Sequence, residues 1–207
     1  MVRKRTAPPR QSQSAGAKIL SAWLENADVF RTAKTAGKQV DQPAVLVLHK
    51  RPDFVKKDFD RKAKDLVRLG SEGRLSKAEP VRRTIHHRDP DPAKAGSRST
   101  ARVYRERIIR RLTKSGRLDA KTGDQSTNKY LANMELVKKL YAGKRPVTGP
   151  GQGYDPDHIQ DLQLDGKDEY LNLRLMDAWT NRELGREISQ ALRDVPPGTR
   201  VEVKVVP

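Results

Sequence analysis

Cysteine is absent from this 207-residue chain, which excludes disulfide bonds and zinc sites built from thiolates. Aromatic residues are scarce at 5%, and hydrophobic residues make up only 35% of the sequence. No apolar run approaches the length of a membrane span. The basic N-terminus is followed by a short, charge-interrupted apolar stretch, so we expect no secretory signal peptide.

Positive charge, by contrast, is abundant and unevenly placed. The chain has 43 Lys and Arg against 26 Asp and Glu, a net charge of +17. Residues 151–207 hold 7 basic and 11 acidic residues, so the first 150 residues carry 36 basic and 15 acidic ones. A basic region of this size favours a polyanionic partner such as nucleic acid.

Composition divides the chain into three parts. Residues 1–15 are rich in Arg, Pro, Ser and Gln and are predicted to be a disordered basic tail. Residues 16–150 form a basic, mostly helical region, which ends at a junction of Pro and Gly residues. Residues 151–207 form a separate acidic unit.

Hydrophobic spacing predicts the elements of the basic region. They are helices at 16–26, 53–69, 99–114 and 127–142, a buried strand or core segment at 43–48, and a loop at 80–98. Asp53 is the candidate N-cap of the second helix. In the third helix the apolar side chains are expected to face inward, and the arginines around them are candidates for phosphate contacts.

The pattern changes beyond the junction. Residues 156–164 suit a strand or an extended turn, 170–175 a short strand, 177–193 a helix and 199–206 a terminal strand. The fold class is therefore predicted to be α+β, with a mainly helical region followed by a ββα unit and one more strand.

Inside that unit, Asp157 and His158 are adjacent, and Asn172 and Asn181 follow 14 and 23 residues after the histidine. Carboxylate and amide oxygens can hold a hard divalent cation, while a neutral imidazole beside them can accept a proton from water. Adjacent residues of a strand point to opposite sides, so Asp157 and His158 cannot both face a metal from a regular strand. The residues alone leave open a structural histidine and a capping asparagine.

Residues 153–193 resemble the HNH/endonuclease VII-type nucleases, which share a ββα-metal fold. The matching dipeptides are Asp157-His158, Asp165-Gly166, Asn172-Leu173 and Asn181-Arg182. The segment from Asn181 to Ile188 and the Pro-Pro-Gly-Thr before the last strand look most like C-terminal toxin domains of bacterial polymorphic toxins. Relatives often have two glycines where this chain has Asp165-Gly166, a change that turn geometry tolerates.

The resemblance implies a role for each matching residue. Asp157 and Asn181 would be metal ligands, His158 the general base, and Asn172 the residue that braces the loop and orients the histidine. Oxygen ligands favour Mg²⁺, with Mn²⁺ as an alternative. Arg182 or, alternatively, Arg186 would add positive charge near the scissile phosphate.

The implied function is metal-dependent hydrolysis of DNA phosphodiester bonds by an endonuclease without base specificity, acting as an antibacterial toxin domain. Such a toxin implies an acidic immunity protein in the producing cell, a specialised secretion route, and action in the cytoplasm of the target cell. The candidate DNA-binding residues are Arg102, Arg105, Arg107, Arg110, Arg111, Lys114 and Arg186. Two alternatives remain open, a noncatalytic nucleic-acid-binding protein and a metal-independent ribonuclease toxin.

Overall fold

The computed structural model describes residues 19–79, 100–118 and 128–207. These ranges contain five α-helices and five β-strands, and the strands form two small sheets. This confirms the predicted α+β class. The predicted tail at 1–15 and the predicted loop at 80–98 lie outside the described residues. No described helix is both long and apolar enough to cross a membrane.

The elements alternate between helix and strand at both ends of the chain. In order they are β1 (Ala22–Leu24), α1 (Ala27–Ala36), β2 (Ala44–His49), α2 (Lys56–Ser71), α3 (Thr100–Lys114), α4 (Asn128–Ala142), β3 (Tyr154–His158), β4 (Leu173–Asp177), α5 (Ala178–Ala191) and β5 (Val201–Val206). Single 3₁₀ turns cover Leu162–Leu164, Tyr170–Asn172 and Leu192–Asp194.

The larger sheet has the strand order β1-β2-β5 and joins the two ends of the chain. β1 pairs antiparallel with β2, and β5 lies parallel to β2 on its other side, with Leu46 opposite Val203. Central β2 is an unbroken apolar run whose residues Ala44 and Leu46 to Leu48 are buried, as expected for a strand covered on both faces. The core therefore contains side chains from both sides of residue 150.

Helix α2 forms one wall of this core and packs against β5. Its buried stripe includes Phe59, Ala63, Leu66 and Leu69, spaced by three or four residues as an amphipathic helix requires. Lys62 lies on the same stripe and is also buried. Helix α2 thus places a positively charged side chain in the protein interior.

A polar network fixes α5 against the sheet. The Glu187 carboxylate is buried and accepts hydrogen bonds from the backbone and hydroxyl of Ser21 at the start of β1. Arg51 donates to the same carboxylate at 3.0 Å, and Arg186 donates at 3.2 Å. Because a buried carboxylate requires such partners, these bonds set the position of α5.

Strands β3 and β4 form a separate antiparallel hairpin, and α5 begins directly after β4. His158 pairs with Leu173 at one end of the hairpin, while Asp177 pairs with Tyr154 at the other. Asp177 is the N-cap of α5, since its carboxylate accepts from the Thr180 backbone and hydroxyl, both at 2.9 Å. The order is strand, strand, helix, with the histidine at the end of the hairpin where the connecting loop begins.

The predicted helices at 53–69, 99–114 and 127–142 are confirmed within a few residues. The segment at 43–48, predicted as either a buried strand or a core segment, is a strand. The predicted helix at 16–26 is wrong where the chain is described, because β1 occupies that segment. Its side chains alternate between buried and half-buried, and pairing with β2 stabilises the extended backbone.

One detail of the helix predictions is also wrong. Asp53 does not cap α2, which begins after Val55; its carboxylate accepts instead from Arg51 at 2.6 Å and from the Trp179 indole at 3.1 Å. In α3 the apolar side chains are half-buried and most of the arginines around them are exposed, as predicted, although no side chain of the helix is fully buried. The hairpin strands also begin and end a few residues away from their predicted bounds.

Candidate functional site

His158 lies at the end of β3, with its ring against an acidic side chain from the following loop. Its Nε2 is 2.9 Å from Oδ1 of Asp168. The histidine side chain is 19% exposed and the aspartate 57%, so solvent reaches the pair. A carboxylate on Nε2 favours the tautomer with the proton there, which leaves the lone pair on Nδ1.

Asn172 braces the loop between β3 and β4. Its Oδ1 accepts from the backbone N–H of Gln160 at 2.9 Å, and its Nδ2 donates to the Gln160 carbonyl at 2.9 Å and to the Lys167 carbonyl at 2.8 Å. Its own carbonyl accepts from Ile159 at 2.7 Å. These are the contacts needed by a residue that holds the loop between His158 and Leu173, which carries Asp168.

The turn within this loop has strict backbone requirements. Asp165 has a φ of 61°, in the left-handed region that aspartate tolerates better than most residues. A Cβ on Gly166 would overlap the carbonyl of Gln160, so only glycine fits there. The dipeptide Asp165-Gly166 therefore suits the turn in which the sequence places it.

Asp157 points away from solvent and is neutralised by a lysine from α2. Its carboxylate is 4% exposed, and its two oxygens lie 3.0 and 3.2 Å from Nζ of Lys62, which is 2% exposed. Lys62 also donates to the carbonyl of His158, and Asp161 lies 3.8 Å away. Burial raises the pKa of the Asp157 carboxyl above its ordinary value, and the Lys62 charge acts in the opposite direction.

The candidate metal ligands suit a hard cation in kind, because Asp157 and Asn181 offer oxygen donors. Asn181 is half-buried in the first turn of α5. No hydrogen bond within the described ranges joins it to Asp157, and these ranges hold no group of three or more His, Asp or Glu side chains placed to share an ion. A metal at Asp157 would also have to compete with Lys62.

A second buried carboxylate, Asp155, engages two of the predicted arginines. It lies 3.3 Å from Arg105 of α3 and 2.8 Å from Arg182 of α5. Arg182 also donates to the carbonyls of Gly143 and Arg145. Both arginines therefore help to hold α3, α5 and the end of α4 around β3, and the predicted catalytic role of Arg182 remains a prediction.

Apart from Arg107, which lies over the Tyr170 ring, the other candidate DNA-binding residues fall into two groups. Arg110, Arg111 and Lys114 are exposed on the outer face of α3. Arg102 and Arg186 form ion pairs with neighbouring glutamates at 2.7 and 2.8 Å. The first group is the basic surface open to a polyanion, and we call it the α3 basic face.

Helix α3 also contacts the loop that carries Asp168. Thr100 donates to the Asp168 carbonyl at 3.3 Å, and the rings of Tyr104 and Tyr170 lie 5.1 Å apart. The Arg107 guanidinium sits 4.3 Å from the centre of the Tyr170 ring. The helix bearing the basic face is thus attached directly to the loop beside His158.

Lys62 and Asp168 are the site residues that the sequence motif does not reveal. Lys62 follows Phe59 by three residues and precedes Leu66 by four, so its position on the buried stripe was a usable signal. Asp168 comes from an irregular loop, where no periodicity indicates which side chain meets the histidine.

No model of a protein family, no curated protein and no solved structure matches this chain.

Proposed function

We propose that this protein is a metal-dependent endonuclease that hydrolyses DNA phosphodiester bonds, with β3, β4 and α5 acting as a ββα-metal unit of the HNH kind. The observation that carries the proposal is the solvent-accessible pair of His158, at the end of β3, and Asp168, on the loop that Asn172 braces. The α3 basic face on the adjoining helix supports a nucleic-acid substrate.

His158 acts as the general base. Nδ1 accepts a proton from the attacking water, while Asp168 keeps the ring oriented and stabilises the imidazolium that forms. Asn172 holds the loop, so that the ring and the carboxylate keep their positions. General-base catalysis of this kind contributes roughly 10²- to 10⁴-fold to a rate.

Mg²⁺ is the proposed cofactor, with Mn²⁺ as an alternative, and Asp157 and Asn181 would hold it. Bound there, the cation would supply charge stabilisation to the phosphate oxygens and to the leaving oxygen. Arg182, the next residue of α5, is proposed to add positive charge near the scissile phosphate, although Asp155 offsets part of that charge.

Substrate binding is assigned to the basic region rather than to the hairpin. Residues 151–207 hold more acidic than basic residues, and the positive balance lies in the first 150. Phosphate contacts carry no sequence information, so cleavage without strong base preference is expected. DNA affinity should therefore fall steeply with salt.

The toxin assignment rests on the resemblance of the segment from Asn181 onward to polymorphic toxin domains. We propose that the domain reaches a target cell by a specialised secretion route and cuts DNA in its cytoplasm. The producing cell would then need an immunity protein, and an acidic one would match the basic surface.

Incubation of supercoiled plasmid with the purified protein tests the proposal. Mg²⁺ should give nicked and linear products, EDTA should stop the reaction, and His158→Ala should reduce the rate by roughly 10²-fold or more. His49→Ala, a change to a histidine at the end of β2, is the matched control and should cut like the wild type. Binding without cleavage would indicate a noncatalytic nucleic-acid-binding protein instead.

A metal-independent ribonuclease is the second candidate, favoured by the Lys62 ammonium that already neutralises Asp157. It requires RNA cleavage that survives EDTA and still depends on His158. Running plasmid and single-stranded RNA in parallel, each with Mg²⁺ or EDTA, separates the two functions.

A further inference from the structure

The ammonium group of Lys62 lies at the candidate metal ligand Asp157. Its ammonium lies 3.0 and 3.2 Å from the two oxygens of Asp157 and 3.8 Å from Asp161, and it donates to the carbonyl of His158. Four oxygen atoms therefore surround one charge. Such a group of oxygens suits a cation, and the ammonium of Lys62, from α2, occupies the position among them.

The position of Lys62 on α2 accounts for this arrangement. Phe59, Ala63 and Leu66 pack that face of the helix into the core, and Lys62 shares the face, so its ammonium meets the Asp157 carboxylate at the end of β3. Because the ammonium is almost fully removed from water, it depends on these oxygens for its hydrogen bonds.

A divalent ion bound by Asp157 would lie close to this ammonium. Two cations a few ångströms apart repel strongly in a poorly hydrated site, because the dielectric screening there is weak. The divalent ion and the Lys62 ammonium therefore cannot both bind the Asp157 carboxylate without a large electrostatic cost. Asp161 offers the lysine a second carboxylate within reach and is less buried than Asp157.

We propose that Lys62 is a built-in competitor of the metal ion: its ammonium pairs with Asp157 and must withdraw toward Asp161 before an ion binds there. The inference rests on the proposed metal-dependent function. It adds a regulatory step to the same site, since metal loading is opposed until the lysine moves.

A titration of the full chain with Mn²⁺ at pH 8, followed by the electron paramagnetic resonance signal of the free ion, tests the proposal. Lys62→Met removes the competitor and should bind Mn²⁺ about tenfold more tightly or better than the wild type. Lys64→Met removes an equal charge from the exposed face of α2 and should leave the affinity unchanged. The double variant Lys62→Met/Asp157→Asn should lose the gain.

Lys62→Met leaves Asp157 buried without its partner and can therefore weaken the fold. A measurement on the wild type avoids that difficulty. Acetylation of lysines by a water-soluble reagent, quantified by mass spectrometry, should label Lys62 slowly without metal and faster at saturating Mn²⁺. Labelling of exposed Lys64 should not change.

The proposal is overturned if folded Lys62→Met binds Mn²⁺ no more tightly than the wild type, or if Mn²⁺ leaves Lys62 labelling unchanged. Failure of the proposed function has a different signature. Mn²⁺ binding that depends on Asp157, without DNA cleavage, would remove the nuclease assignment and keep the competition. DNA cleavage by a protein whose Lys62 labelling is unchanged by Mn²⁺ would keep the nuclease assignment and overturn the competition.

Discussion

Replacing Asn172 with alanine tests how the candidate site is held together. The side chain makes three hydrogen bonds at 2.8–2.9 Å, two of them to the N–H and carbonyl of Gln160 and one to the Lys167 carbonyl. A protein hydrogen bond contributes about 1 kcal/mol net. Asn172 is half-buried, so water can replace part of what is lost, and the expected loss is about 2–3 kcal/mol.

Urea unfolding measures this loss. With a denaturant slope of about 2 kcal/mol per molar urea, the midpoint of Asn172→Ala should fall by roughly 1 M. Amide hydrogen exchange at Gln160 should also accelerate, because its N–H loses the acceptor on Asn172. The rate of DNA cleavage by Asn172→Ala should also fall, because His158 and Asp168 lie at the two ends of the segment that Asn172 braces.

Asn133→Ala is the matched control. That asparagine donates a single exposed hydrogen bond, to the Arg117 carbonyl at 2.7 Å, and its loss should cost less than about 1 kcal/mol. An Asn172→Ala protein with the midpoint of the wild type and unchanged exchange at Gln160 would refute the argument that this side chain braces the loop.

Three further predictions follow from the same contacts. Asp168→Asn should lower the cleavage rate by about 10-fold or more without weakening DNA binding, because it removes the charge beside His158; equal rates would exclude the pairing from catalysis. Changing Arg110, Arg111 and Lys114 together to glutamine should reduce the salt dependence of DNA affinity by about 2–3 in log–log slope, measured by fluorescence anisotropy; an unchanged slope would place the DNA elsewhere. Leu66→Ala should lower the free energy of unfolding by about 2–5 kcal/mol, because the side chain is fully buried, and a loss below about 1 kcal/mol would contradict its place in the core.

Some of this structure could be predicted from the sequence. Helix α2 and strand β2 have strong local patterns, an apolar stripe and an unbroken apolar run, and both occur where the patterns indicate. Strand β1 could not be predicted locally. It has three residues, and its extended form depends on pairing with a strand more than 20 residues away.

The site shows the same limit. The motif around His158 and Asn172 is visible in the sequence as residue types at a spacing. Asn172 makes hydrogen bonds within the loop, and its role in orienting His158 stays a prediction. The partners of that motif come from distant or irregular segments. Lys62 reaches Asp157 across 95 positions of the chain, and Asp168 meets His158 from a loop, so neither contact follows from spacing alone.

The central claim is that His158 controls the rate of DNA cleavage while the α3 basic face controls binding. Single-turnover cleavage of a labelled duplex in Mg²⁺, at protein concentrations that saturate the DNA, tests it most directly. His158→Ala should lose roughly 10²-fold or more in the cleavage rate constant at saturation, whereas the triple α3 variant should cut at nearly the wild-type rate once bound. Saturated His158→Ala protein that cuts the duplex as fast as the wild type would contradict the account.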